Sequence, residues 1–249
     1  MNKKGLFYHI GQYFILMSKV FAKPEKPKLY YKQFLREIEN LGINSFGIVA
    51  IISAFMGAVI TIQTAYDMTS PLFPRYLIAL TARDSILLEF SSTMVGLILA
   101  GKVGSSIASE LGTMRITEQI DALEIMGVNS AGYLILPKIA AAVFFNPFLA
   151  LLSMFVGIFG GWLIGTMTGV VTTEEYIYGI RWALDTYFIN YAIIKTVFFA
   201  FIITSISSYY GYYAEGGSIE VGRSSTKAVV YSSVVILMFN LILTKLLLS

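Results

Sequence analysis

Residues 40–66 and 139–173 carry no charge, and only Lys195 interrupts 186–214. About 20 apolar residues cross the ~30 Å hydrocarbon core as a helix, so each of these stretches is long enough to span a membrane. The pattern predicts five spans, at 44–66, 86–108, 138–168, 186–214 and 228–244. The second is the most polar, because Arg83 and Asp84 precede it and Glu89 and Lys102 lie within it. Ahead of the first span, Leu6, Ile10, Tyr13, Met17 and Phe21 recur at three- and four-residue steps between lysines. That spacing predicts one apolar helical face, suited to lying in the plane of a membrane interface. A signal peptide is the competing reading; the segment lacks an Ala-x-Ala type cleavage site and more lysines follow it. Pro24 and Pro27 break this helix, residues 28–40 form a charged helical segment, and Thr69-Ser70-Pro71 with Pro74 separates the first two spans.

The predicted fold is therefore an all-α polytopic membrane protein. It forms one domain over 1–249, with a basic arm at 1–43 and a five-span bundle at 44–249. Composition agrees: 56% of residues are hydrophobic and 13% charged, about half the charge of a soluble domain. The net charge of +3 conceals an asymmetry, since residues 1–46 hold eight Lys/Arg against Glu25, Glu37 and Glu39. A basic arm beside a hydrophobic body predicts contact with anionic headgroups rather than nucleic acid. By the positive-inside rule the N-terminus is cytoplasmic. Connectors 109–130 and 209–227 then face the cytoplasm, while 67–85 and 170–186 face outward. Tyr209, Tyr210, Tyr212 and Tyr213 fall at a predicted interface, where aromatic anchoring is the default.

Small residues recur every four positions at Gly157, Gly161, Gly165 and Gly169, and again at Gly96, Ala100, Gly104 and Ala108. Such ridges let helix backbones approach closely, either within one bundle or at a dimer seam. Packing within the bundle is the simpler use.

Little of the chain offers chemistry. It has no cysteine and one histidine, His9, which excludes disulfides, thiolate sites and any two-histidine metal centre. No catalytic or metal-ligating set emerges, and an intramembrane enzyme would need more than His9. Gly96–Lys102 fits the G-x-x-x-x-G-K frame of a phosphate loop, but Val103 replaces the Ser/Thr and the segment lies inside an apolar span. ATP hydrolysis is thus expected elsewhere. Intramembrane charges are functional hypotheses by default. Glu89 is a candidate for a lipid-facing cavity, Lys102 for snorkelling to cytoplasmic headgroups, and Lys195 has no partner visible in sequence. A relay through Glu89, Lys102 and Lys195 would instead suit an ion-coupled secondary transporter.

The connector Glu110–Asn129 is the most patterned polar stretch. Thr117 can cap a short helix with Glu118 and Asp121 in its first turn. Ile116, Ile120, Leu123 and Met126 trace an apolar stripe, and Gly127 is a natural stop. Glu118, Asp121 and Glu124 form an acidic side. Spacing alone leaves two uses open: packing on the bundle end, or docking of a partner.

AGKVGSSIASELGTMRITEQIDALEIMGV (Ala100–Val128) resembles the signature of MlaE/YrbE-type permeases, the membrane subunits of lipid-transporting ABC systems associated with MCE proteins. The similarity continues through LILPKIAA (Leu134–Ala142) and GYYAEGGSIEVGRSSTKAVV (Gly211–Val230). The resemblance implies a homodimeric permease with five spans per subunit in a bacterial inner membrane, carrying phospholipid between inner and outer membranes. It also implies that the helix matching Thr117–Gly127 docks on a separate cytoplasmic ATPase subunit that binds ATP and Mg. A periplasmic MCE-domain protein would sit on the far side, with a small cytoplasmic STAS-domain subunit in some systems. One departure stands out: many members carry an Arg-Glu pair followed by Gly/Phe-Gly-Pro, whereas here Leu88 precedes Glu89, Phe90-Ser91-Ser92 follow, and Lys102 replaces the signature arginine. Arg83 is then the nearest earlier cation to Glu89 along the chain.

Overall fold

The computed structural model describes residues 5–22, 27–68 and 73–248. Lys3 and Lys4, the break at Pro24 and the separator at Thr69-Ser70-Pro71 lie outside them. Among the described residues all regular structure is helical. The helices are α1 (Leu6–Val20), α2 (27–67), α3 (Tyr76–Ile116), α4 (Gln119–Ile125), α5 (Ser130–Met167), α6 (Thr173–Arg181), α7 (Tyr187–Tyr212) and α8 (Ser218–Leu248). Five of them, α2, α3, α5, α7 and α8, are long and apolar enough to cross a membrane. They alternate in direction, so α1, α4 and the α7–α8 turn share one end of the bundle and α6 lies at the other.

The long helices outrun the predicted spans. Charged segment 28–40 does not end before the first span: α2 passes through a π-helical stretch at Ile38–Ile43 and continues to Asp67, so residues 43 and 44 lie inside one helix. α3 likewise begins at Tyr76 rather than near 86, with Arg83 and Asp84 inside it. Arg83 is buried because its guanidinium donates to the carbonyls of Ile180 and Trp182 (both 2.7 Å) and pairs with Asp84 (2.7 Å). It thereby closes the C-terminus of α6, where a helix leaves carbonyls unpaired. The start of α6 is equally well fixed, by a capping box between Thr172 and Glu175 (3.0 and 3.3 Å). These bonds hold the Glu175 carboxyl below the usual range, the backbone N–H of Thr172 contributing most.

The core runs between α1, α2, α3, α5, α7 and α8, around Leu16, Val49, Leu99, Ile107, Ile135 and Phe199. α2 and α5 make the closest approach. A Cβ on Gly57 would overlap the carbonyl of Gly157, and one on Gly160 would overlap that of Ala54. The glycine ridge of α5 therefore packs within one chain. Its tightest contacts are at Gly157, Gly160 and Gly161, whereas Gly165 meets Thr61 at an ordinary 3.4 Å. Gly169 is not part of the ridge: it adopts φ +69° in the turn after α5. On α3, Gly96 faces Phe199 and Gly104 faces Ser207 of α7.

α1 forms, but its inward face differs from the predicted stripe. Tyr13, Leu16, Met17 and Val20 turn toward α5 and α7, with Tyr13 donating to Ser205 (2.9 Å) and His9 Nδ1 2.7 Å from the Tyr209 hydroxyl. Ile10 and Phe21 turn outward with Phe7 and Phe14. A helix apolar on two sides docks on the bundle with one and keeps the other for its surroundings.

Candidate functional site

Two polar assemblies stand out. The first lies within the spans, where the π-helical stretch Ile86–Met94 of α3 carries Glu89. Such stretches frequently mark functional positions. Lys195 of α7, with no exposed surface, places its Nζ 3.0 Å from Glu89 Oε1 and 3.3 Å from the carbonyl of Leu88. Asn240 of α8 donates to Oε2 (3.1 Å), and Thr93 donates to the same oxygen at 3.0 Å. The hydroxyls of Tyr191 and Thr244 stand 3.4 and 3.3 Å from Oε1, and Lys195 also lies 4.7 Å from the Tyr191 ring centroid. Three helices thus converge on one carboxylate, which still leaves 41% of the Glu89 side chain exposed. A buried cation backs the carboxylate while its open side faces away from the bundle. This arrangement can hold a charge at membrane depth and still meet a ligand's polar group.

The expected partners of Glu89 change accordingly. Arg83 does not reach it, being committed to α6. Lys195 supplies the cation from 106 positions along the chain. Lys102 stands apart from both. Its ammonium donates to the Asn44 carbonyl of α2 and not to the Glu89 cluster, so Glu89, Lys102 and Lys195 do not line up as a relay.

The second assembly surrounds α4. Thr117 does not cap this helix: it terminates α3, donating to the Thr113 carbonyl at 2.8 Å. Glu118 takes the junction with φ 60°, a left-handed conformation costly for a side chain. Gly127 ends the helix at φ +79°, and the following Val128 N–H reaches back to the Leu123 carbonyl (3.0 Å). The apolar stripe divides, its Ile120 end facing the protein and its Met126 end facing outward. Ile120 is fully buried and Leu123 packs partly on the core, while Ile125 (87% exposed) and Met126 (68%) project outward. The physical reason is the tight turn at Thr117–Glu118, which folds the Ile120 side of α4 onto the bundle end.

Two of the three carboxylates on the acidic side, Asp121 and Glu124, are engaged by the chain itself. Asp121 pairs with Arg115 at 2.5 Å. Glu124 Oε1 lies 2.8 Å from the Tyr212 hydroxyl and 2.9 Å from Ser130 Oγ, and these two oxygens are 2.7 Å apart. Donation from Tyr212, then Ser130, holds the Glu124 carboxyl below the usual range. Beside α4 opens a cleft of about 550 Å³ lined by Arg36, Glu110, Gln119, Leu123, Met126 and Lys138. At its base Lys138, almost fully buried, bridges Glu37 and Glu110 at 2.7 Å each, tying α2, α3 and α5 together. Neither the bridge nor the Glu89–Lys195 pair is visible from spacing, since each joins residues on different helices.

Comparison with known proteins places these features. Residues 34–246 match the family model of the permease MlaE. A probable ABC transporter permease protein of Rickettsia bellii is 35% identical over 95% of this chain and 91% of its own length. The intermembrane phospholipid transport system permease protein MlaE of Haemophilus influenzae is 30% identical, over 93% of this chain and 88% of its own. Protein TRIGALACTOSYLDIACYLGLYCEROL 1 of Arabidopsis thaliana, a chloroplastic protein, is 31% identical over 92% of this chain and 65% of its own.

Proposed function

The chain belongs to the MlaE permease family, and from that premise we propose that it is the membrane subunit of an ABC system carrying phospholipid between the inner and outer membranes of a diderm bacterium. Two copies form the transport unit. α8, the most exposed of the five spans, is the natural surface for the second copy and for lipid. The N-terminus and α4 lie on the cytoplasmic side, with the outward aromatic face of α1 in the interface. A separate ATPase subunit binds ATP and Mg and docks on α4. An MCE-domain protein meets the α6 end, and a STAS-domain subunit completes the cytoplasmic side in systems that have one. The lipid passes Glu89, whose open side receives a cationic or hydrogen-bonding headgroup while Lys195 holds the carboxylate in place.

The observation that carries this reading is the outward pair Ile125 and Met126. Two large apolar side chains stand exposed on a short, well-anchored helix at the bundle end. Ile125→Asp or Met126→Asp would force a charge into a docking groove without a partner, which costs far more than losing an exposed ion pair. Each should reduce recovery of the ATPase with the permease by roughly tenfold or more, as expected from about 1.4 kcal/mol per decade. Glu118→Ala should change it little. Normal ATPase recovery and lipid-stimulated hydrolysis with Ile125→Asp would refute docking at α4.

A further inference from the structure

α4 is joined to the rest of the chain by more than its own backbone. The covalent route from α3 crosses a turn of two residues, Thr117 and Glu118, held by the Asp121–Arg115 pair and by local bonds of Thr117 to Thr113 and Gln119. At the other end of α4, Glu124 reaches two different spans at once: Ser130 in the first turn of α5 and Tyr212 in the last turn of α7. Ser130 and Tyr212 are themselves buried. Three oxygens lie within 2.9 Å of one another and only two hydroxyl protons are available, so every proton in the cluster is engaged. Seventeen residues before Tyr212, α7 carries Lys195, the buried cation of the intramembrane cluster. At 1.5 Å per residue the two are about 25 Å apart along one straight helix. α7 has no π-helical interruption, whereas α3 is broken by two such stretches, Ile86–Met94 and Ala100–Gly104.

We propose that the Glu124–Ser130–Tyr212 cluster is a mechanical latch, by which α4 drives α7 and hence the Lys195–Glu89 pair, rather than acting through α3. Glu124 and Tyr212 are positioning residues in this scheme and touch neither lipid nor nucleotide. A regular helix moves as a unit, while α3 can absorb displacement in its wide turns. Oε1 of Glu124 is engaged with the bundle, which leaves docking to Ile125 and Met126. The inference rests on the assignment of α4 as the ATPase contact, and its test separates the two.

Because the chain has no cysteine, Ala122→Cys, on the exposed side of α4, provides a single site for a spin label. In the purified chain without partners, Tyr212→Phe and Glu124→Gln should each raise the label's mobility. In the full complex, Tyr212→Phe should leave recovery and basal hydrolysis of the ATPase unchanged, yet lower lipid transported per ATP by roughly five- to tenfold, the lower end of the usual coupling between sites. A spectrum and coupling ratio equal to the parent's would overturn the latch. A matching drop in the thermal midpoint of the whole chain would also overturn it, by making Tyr212 merely structural. Should the parent chain itself recover no ATPase, the docking assignment fails, and the spin-label arm still decides whether the cluster restrains α4.

Discussion

Lys195→Met should destabilise the protein by about 2–4 kcal/mol, because it leaves Glu89 ionised at membrane depth without its cation. Removing one partner of a fully buried pair commonly costs ~3–5 kcal/mol; the half-exposed side chain of Glu89 and its bonds to Asn240 and Thr93 reduce that figure. The double variant Lys195→Met/Glu89→Gln should recover most of the loss, since an isosteric neutral pair has no charge to desolvate. Thermal unfolding of the four proteins in detergent gives the cycle, with an interaction energy well outside the ~0.5 kcal/mol expected of independent sites. If Lys195→Met melts with the parent, the pair contributes nothing to the fold.

Gly57→Val should be at least as severe. The backbones of α2 and α5 touch at Gly57 and Gly157, so a side chain at 57 meets a carbonyl that belongs to a packed helix and cannot turn aside. Overpacking where only side chains must shift costs about 1–3 kcal/mol, and here a whole helix must move. Loss of monodisperse protein in detergent is the expected result. Gly165→Ala serves as the comparison: its added methyl meets Thr61 at a normal contact distance and should be tolerated. Equal behaviour of the two variants would show that close approach at Gly57 is dispensable.

What the sequence revealed and what it concealed divide along a physical line. Charge-free runs mark spans because lipid penalises polar groups wherever they occur, a property each segment carries by itself. The five spans and the stop at Gly127 were therefore legible. Helix ends were not, because a charged segment such as 28–40 is as helical as the span it joins, and Arg83 looks like an interruption until carbonyls from α6 receive it. Thr172-Thr-Glu-Glu175 did carry a readable capping signal. The pairing of Glu89 with Lys195, or of Lys138 with Glu37 and Glu110, depends on how one helix is rotated against another, and apolar periodicity around a fully apolar span says nothing of rotation. α4 shows the same limit on a small scale. Its amphipathic pattern was plain, but the left-handed turn at Glu118 decided which side met the bundle, and that turned Ile120 inward while Met126 stayed outside.

The 106 residues separating Glu89 from Lys195 also set the order of events during synthesis. α3 leaves the ribosome long before α7. At about 5–20 residues per second, Glu89 waits on the order of 5–20 s for its cation. During that interval α3 is a span with an uncompensated carboxylate, a group whose counterparts cost about 2.5–3.5 kcal/mol at the centre of a helix being inserted. It is poorly suited to settle in lipid alone and favours remaining beside the insertion machinery until α5 and α7 arrive. Nascent chains truncated between α5 and α7 should accordingly leave α3 extractable by alkali, and those extended past Lys195 should not.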